Sequence, residues 1–281
     1  MIMESLENLK RTRKLILEIL TLCKENQEAT FLESFLRFGK TFDNEELLKA
    51  WTELTKEADK EMIWFILTNL LIKELPLFDL LPYDIVKIIT NFIRFTMNRG
   101  DLILEINPLL GITINGILAE ELDLKSVIYL NVSKNEELIK TYTDFIGNDL
   151  SIFTTADSQI FPFSPRYILY AIEDKPELES VNFYLNNLIK NGFLITLVSD
   201  DFFKTEFKSE EIKEHIVGVM NLHMRKFNYQ KLLVIFTKHK TGRGTTIFDV
   251  PLDNQGKLFK AMIDINNWSK EEIKKYENYG S

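Results

Sequence analysis

Two different spacings of apolar residues divide the chain. In its first part, leucine, isoleucine and phenylalanine recur every three or four positions, which is the spacing of an amphipathic helix. Helices are predicted at residues 6–22, 31–38, 45–58, 60–73 and 83–96. The segment Met97-Asn98-Arg99-Gly100 then ends the pattern with a polar stop signal. The sequence therefore predicts a helical N-terminal domain over residues 1–98 and a second domain over residues 99–281.

Beyond Gly100, short apolar runs alternate with helical stretches. Strands are predicted at residues 102–106, 127–130, 150–154, 167–171, 193–198, 216–220 and 232–236, with 245–250 as an extra edge strand. Helices are predicted at residues 113–122, 135–146, 181–190, 209–215 and 268–279. Such alternation favours right-handed crossovers and a parallel sheet covered on both faces. We therefore expect an α/β fold with a mostly parallel, seven-stranded sheet.

Composition narrows the kinds of protein that the chain can be. Its 281 residues include 34 basic and 42 acidic side chains, which gives a net charge of −8. One cysteine cannot form an internal disulfide, and with three scattered histidines it cannot build a structural zinc site, so no metal is expected. No apolar run reaches the ~20 residues that cross a bilayer, and the charged N-terminus has no apolar signal-peptide core. We expect a cytoplasmic protein without membrane contact.

The charge is unevenly distributed along the chain. Residues 1–98 carry 13 basic and 16 acidic side chains, residues 99–200 carry 7 and 15, and residues 201–281 carry 14 and 11. No acid lies between Glu214 and Asp249. This stretch is either a solvated hairpin edge or a local phosphate-facing patch. The first interpretation is favoured, because six positive charges over ~30 residues form a modest cluster.

The carboxyl ends of the predicted strands are where a ligand is expected. In open α/β sheets, ligands bind at these ends, at the point where the strand order reverses. The polar residues that follow the apolar runs are Glu105 to Gly111, Asn131 and Ser133, Asp157, Glu173 to Glu177, and Ser199 to Asp201. We expect these side chains to converge on one cleft.

Three stretches, in this order and spacing, carry a resemblance to a known family. They are Leu81-Pro82-Tyr83-Asp84-Ile85, Gly192–Phe203 followed by a short helix, and Lys231–Lys240. Over roughly residues 31–240 the chain resembles class I S-adenosylmethionine-dependent methyltransferases. More narrowly, it is similar to small stand-alone bacterial proteins of the N6-adenine DNA methylase-like group, which are related to type I restriction–modification methylation subunits. The resemblance implies a Rossmann-like methyltransferase sheet, S-adenosylmethionine as cofactor and an adenine amine as substrate.

The resemblance also implies roles for individual residues. The family loop Asp-Pro-x-x-Gly-x-Gly matches the segment from Glu105 to Gly111, where the acid and the glycines serve the cofactor. Asn131 matches the ribose-binding acid, and Asp157 the acid that contacts the cofactor adenine. The catalytic motif Asn/Asp-Pro-Pro-aromatic matches Asp174-Lys175-Pro176-Glu177, so Asp174 and Pro176 are the implied catalytic residues.

The chain departs from the family at several of these positions. Leu109 replaces the first glycine of the loop, Asn131 replaces the ribose acid, and Glu177 replaces the aromatic ring that stacks on the target base. We therefore expect methyl transfer to be weak or lost. Two alternatives stay open: a non-catalytic homologue that acts as a binding or regulatory module, and an enzyme that uses the sheet for another nucleotide-like ligand. DNA, a DNA-specificity partner protein and a second copy of the chain are the expected partners.

Two loops near the predicted cleft each have two interpretations. Pro162-Phe163-Ser164-Pro165 is either a lid over the adenine site or a rigid extended loop, of which the second is the commoner structure. The acids Glu173, Asp174, Glu177 and Glu179 either bind a divalent cation or form a solvated loop. Without a nearby histidine or cysteine, the solvated loop is favoured.

Overall fold

The chain forms two compact units in a computed structural model. The larger unit comprises residues 84–136 and 150–281, and the smaller comprises residues 1–83 and 137–149. The structure describes residues 2–25, 45–58, 62–63, 83–108, 111–130, 136, 139–140, 143, 148–155, 161–172, 176–224, 229–239 and 244–277.

Two long helices are described in the smaller unit, α1 (Ile2–Glu25) and α2 (Glu45–Glu57). They pack against each other through the buried side chains Leu15, Ile16, Ile19, Ala50, Trp51 and Leu54. These helices confirm the predictions at residues 6–22 and 45–58. The predicted helix at 31–38 lies outside the described residues, and only residues 62–63 of the one at 60–73 are described, as helix.

The larger unit is built on one sheet. Its strands are β1 (Asp101–Ile106), β2 (Leu124–Leu130), β3 (Ser151–Thr154), β4 (Tyr167–Tyr170), β5 (Phe193–Val198), β6 (Ile216–Met224), β7 (Tyr229–Thr237) and β8 (Thr246–Pro251). They lie in the order β3-β2-β1-β4-β5-β7-β6-β8. Neighbours from β3 to β5 are parallel, whereas β7 runs antiparallel to both β5 and β6. The α/β class with a mostly parallel sheet is confirmed.

The predicted number of seven strands is wrong, because β8 pairs in parallel with β6 and the described residues already form eight. The extra edge strand at residues 245–250 is thereby confirmed. Its side chains alternate, with Val250 buried and both Ile247 and Asp249 exposed. This is the pattern of a strand that is covered on one face only.

Helices flank the sheet in the described part of the larger unit. They are α3 (Tyr83–Thr96), α4 (Ile112–Ala119), α5 (Leu178–Asn187), α6 (Asp200–Glu206), α7 (Glu210–Lys213) and α8 (Gln255–Glu277). Helix α8 begins at Gln255 instead of residue 268, because Asn254 accepts a hydrogen bond from the Lys257 N–H at 3.1 Å and starts it earlier. Helix α6 was not predicted separately; the Ser199 hydroxyl caps it by accepting the Phe202 N–H at 3.1 Å.

Helix α3 packs with the sheet. The ring of Phe92 lies 5.1 Å from that of Phe193 in β5 and 5.7 Å from that of Trp268 in α8. At the end of α3, the Thr96 hydroxyl is 2.9 Å from that of Tyr167, whose burial raises its pKa to about 12. The division between the compact units falls between Tyr83 and Asp84, at the first residue of α3, whereas the predicted boundary follows the helix at residue 98. As a boundary between independently folding domains, residue 98 stays a prediction.

Gly218 in β6 lies directly beneath the indole of Trp268. A Cβ at this position would be 2.6 Å from Cη2 of Trp268, which is too close for any side chain. We expect Gly218→Ala to lower the free energy of unfolding by about 1–3 kcal/mol through overpacking, measured by chemical denaturation. Gly244→Ala is the matched control, because nothing lies within 4 Å of its Cβ position. Equal stability of the two variants would contradict this account of the packing.

Candidate functional site

The strand order reverses between β1 and β4. Strand β1 pairs with β2 on one side and with β4 on the other. Because the chain passes from β1 to β2 and β3 on one side and to β4 and β5 on the other, the crossovers diverge and leave a crevice above β1 and β4. The site is therefore expected at the carboxyl ends of these two strands.

In the described part of the turn between β1 and α4, two residues have left-handed backbone conformations. Asn107 has a φ of 44°, and its N–H donates to the carbonyl of Tyr129 at 2.9 Å. Gly111 has a φ of 72° and stands at the N-cap of α4. The left-handed conformation favours glycine, and a Cβ on Gly111 would also lie 2.8 Å from Cδ1 of Ile128, which would have to shift. The Asn115 side-chain amide donates to the Gly111 carbonyl at 2.9 Å.

Glu105 is a buried carboxylate on the face of β1 that carries α4. Its side chain is 1% exposed, and Oε2 accepts a hydrogen bond from the N–H of Ile114 at 3.1 Å. Glu105 thus holds the amino end of α4 against the carboxyl end of β1.

The end of β4 is closed by a hydrogen bond across a loop. The Tyr170 hydroxyl accepts the N–H of Glu177 at 3.1 Å, and Ala171 has a φ of 51°. Pro176 is buried, whereas Glu177 is exposed at the N-cap of α5. The Glu177 carboxylate accepts a hydrogen bond from the Ser180 hydroxyl at 3.3 Å, so it serves the first turn of α5.

Removing the Tyr170 hydroxyl tests this closure. We expect Tyr170→Phe to lower the free energy of unfolding by about 0.5–1.5 kcal/mol and to speed hydrogen exchange at the Glu177 amide. The Val181 amide, which donates to the Glu177 carbonyl at 3.0 Å, is the internal control and should keep its protection. Unchanged exchange at Glu177 would show that this hydrogen bond does not hold the loop.

Three of the six predicted site residues have described positions. Glu105 and Gly111 flank the turn after β1, and Pro176 follows the neighbouring strand β4, so all three belong to the same end of the sheet. The other three predicted residues, Asn131, Asp157 and Asp174, lie outside the described residues, as does Leu109. Tyr170 and Asn115 were not predicted. The sequence signal for the role of Asn115 is its position four residues after Gly111, which is one helical turn.

The part of the acid-free stretch around Lys238 lies at the opposite end of the sheet, whereas Lys231, at the start of β7, lies at the carboxyl end of β5, where Leu232 pairs with Val198. Thr237, at the end of β7, pairs with Phe193, the first residue of β5. The next residue, Lys238, donates to the carbonyls of Asn186 and Leu188 at 2.9 and 2.6 Å and so caps the end of α5. Burial, followed by the nearby charges of Lys190, Lys238 and His215, lowers the pKa of His239. Lys238 and His239 therefore lie away from the carboxyl ends of the strands, where the cofactor is expected.

In the described residues, no group of three or more histidine, cysteine, aspartate or glutamate side chains is placed to hold a metal ion. Among the described helices, none is both long enough and apolar enough to span a membrane.

Comparison with solved structures identifies the fold. A candidate class I S-adenosylmethionine-dependent methyltransferase from Listeria monocytogenes (lmo1582) is similar with a TM-score of 0.67 and 14% identity, over 94% of this chain and 99% of that chain. A variant of MtNAS in complex with S-adenosylmethionine has a TM-score of 0.46 at 13% identity, over 82% of this chain and 97% of that chain. A methyltransferase from Pyrococcus furiosus has 0.44 at 14%, over 64% and 99%.

The fold assignment depends on the Listeria protein, because a TM-score below 0.5 does not establish that two proteins share a fold. No protein-family model matches the chain, and no curated protein matches it in sequence. The chain therefore has the fold of the class I S-adenosylmethionine-dependent methyltransferases.

Proposed function

We propose that the chain binds S-adenosylmethionine at the carboxyl ends of β1, β2 and β4. The observation that carries the proposal is the left-handed turn at Gly111, which joins β1 to α4 at the point where the strand order reverses. The fold that the chain shares with the Listeria methyltransferase candidate supports the same assignment. S-adenosylmethionine would supply an activated methyl group, and the chain would hold and orient it.

The described residues fit this cofactor. The amino end of α4 follows Gly111 directly and suits a carboxylate such as that of the methionine moiety. Glu105 faces the protein, so in this proposal it is a positioning residue that holds the turn and α4 in place. By the family resemblance, Asn131 would bind the ribose and Asp157 the adenine amine.

We further propose an adenine amine as the ancestral substrate class, with methyl transfer now weak or lost. By the resemblance, Asp174 would accept a hydrogen bond from the amine and Pro176 would shape the clamp. Glu177 takes the place of the stacking ring, and its carboxylate bonds to Ser180 in α5. Loss of stacking on the target base costs about 1–3 kcal/mol. The exposed carboxylate also repels phosphate, which favours the second candidate, a binding or regulatory module.

Two measurements separate cofactor binding from catalysis. Isothermal titration with S-adenosylmethionine is expected to give saturable binding, and transfer of a labelled methyl group to adenine-containing DNA is expected to stay at background. Absence of any binding heat at millimolar cofactor would overturn the cofactor proposal. Methyl transfer to DNA well above a no-enzyme control would instead overturn the loss of activity and leave the cofactor proposal intact.

The proposed partners are DNA, a DNA-specificity partner protein and a second copy of the chain. Sedimentation of the chain alone and with duplex DNA distinguishes the first and last of these. A faster-sedimenting species without DNA would indicate self-association, and one that appears only with DNA would indicate a nucleic-acid complex.

A further inference from the structure

Aromatic rings line one face of the sheet at the carboxyl ends of its first strands. Ile106 pairs with Tyr129 in β2 and with Tyr170 in β4, and Tyr129 pairs with Phe153 in β3. Partners in a parallel register point to the same face, which is the face opposite Glu105 and α4. The rings of Tyr129 and Phe153 stack with their centroids 5.9 Å apart.

Two other elements extend this row outward. The connection from β3 to β4 contributes Phe161 and Phe163, and α5 contributes Phe183. Phe163 lies 5.2 Å from Phe153 and 6.1 Å from Phe161, and Phe161 lies 5.8 Å from Phe183, between ring centroids. We name these four residues, Phe153, Phe161, Phe163 and Phe183, the aromatic shelf.

The aromatic shelf reaches the surface at both ends. Phe153 is 37% exposed and Phe183 is 36% exposed. Strand β3 ends the sheet on this side, so Phe153 has a strand neighbour only in β2. The described part of the connection, residues 161–165, is neither helix nor strand. Phe161 and Phe163 between them are half-buried, and a connected row of aromatic rings that reaches the surface is typical of an interaction surface.

The charge around the aromatic shelf is negative. The described residues from the start of β3 to the end of α5 include two exposed acids, Glu177 and Glu179, and one basic residue, Arg166. Arg166 is buried and donates to the Thr96 carbonyl at 3.1 Å. Glu179 stands one helical turn before Phe183 on the exposed side of α5. A phosphate backbone would be repelled here, whereas a cation is attracted both by the carboxylates and by the faces of exposed rings.

We propose that the aromatic shelf binds a lysine- and arginine-rich segment of a partner protein. Guanidinium or ammonium groups lie over the exposed faces of Phe153 and Phe183, and their aliphatic stems cover the ring edges. Glu179 and the neighbouring acids balance the remaining charge. The proposal does not rest on cofactor binding, so it is tested without S-adenosylmethionine.

The test is a titration of the full chain with a short synthetic peptide of alternating arginine and glycine. We expect saturable binding that weakens with salt, and no binding of a matched glutamate–glycine peptide. The double variant Phe153→Ser/Phe183→Ser is expected to bind the arginine peptide about tenfold more weakly. Phe259→Ser is the matched control, because Phe259 is 68% exposed on α8, and it should bind as the unchanged chain does.

A second variant keeps the test informative if the double variant loses its thermal unfolding transition. Glu179→Lys leaves all four rings in place and is expected to weaken peptide binding, with the unfolding temperature retained. Equal peptide affinity in all variants would overturn the proposal. So would binding of a single-stranded oligonucleotide that depends on Phe153 and Phe183, because the aromatic shelf would then be a base-stacking surface.

Discussion

Gly111→Ala is expected to abolish measurable S-adenosylmethionine binding and to destabilise the larger unit. An alanine at a φ of 72° costs about 1–2 kcal/mol, and its methyl group would lie 2.8 Å from Ile128. Overpacking of this kind costs a further 1–3 kcal/mol or so. The contact is relieved by a shift of the buried Ile128 side chain or of the turn itself, and a shift of the turn displaces the backbone that the cofactor would contact. Isothermal titration and chemical denaturation measure the two effects.

Gly100→Ala separates backbone strain from the steric effect. Gly100 has a φ of 75°, nearly that of Gly111, but nothing lies within 4 Å of its Cβ position. This variant should show the strain cost alone and should bind the cofactor normally. If both alanine variants lowered the free energy of unfolding by the same amount, the contact with Ile128 would not contribute to the destabilisation. If Gly111→Ala bound S-adenosylmethionine normally, the turn would not be the cofactor cradle.

Phe92→Ala is expected to cost about 3–5 kcal/mol of unfolding free energy, the range for deleting a buried phenylalanine. Phe92 is 0% exposed, and its ring contacts Phe193 of β5 edge-on and stacks on Trp268 of α8. The cavity would therefore lie between three elements and could not collapse by moving one side chain. Chemical denaturation measures the loss, and amide hydrogen exchange in β5 should rise with it.

Phe95→Ala on the same helix is the control. Phe95 is only partly buried, and the ammonium of Lys270 lies 4.5 Å from its ring centroid. Its removal should cost far less than that of Phe92. If Phe92→Ala left exchange in β5 unchanged, α3 would be energetically separate from the sheet, as a domain boundary at residue 98 would require.

Local signals in the sequence were sufficient for most elements of the sheet. The runs at residues 102–106 and 193–198 are apolar at nearly every position, which is the pattern of a strand buried on both faces, and both are strands. The alternation of strands and helices was also sufficient for the α/β class, because crossover handedness leaves few arrangements. The predicted start of α8 at Trp268 is too late, although Leu258, Ala261 and Ile265 already have helical spacing.

The candidate site was predictable where it depends on chain neighbours. Glu105 and Gly111 could be placed together because they belong to one strand–turn–helix unit. The hydrogen bond from Glu177 to Tyr170 depends on the path of the whole loop between them, and no spacing rule predicts it. The segment around Lys238 lies at the far end of the sheet because β7 runs antiparallel to β5. Strand direction of this kind could not be predicted from the segment itself.

The sequence by itself determined the class of fold, the order of its strands along the chain and the glycine turn after β1, because each follows from local periodicity and backbone preference. Tertiary structure alone decided which rings share a face, such as Tyr129 with Phe153, and which glycine lies under which indole, such as Gly218 under Trp268. Strand register and helix packing join residues that are far apart in the chain, so they depend on the shape of the assembled core.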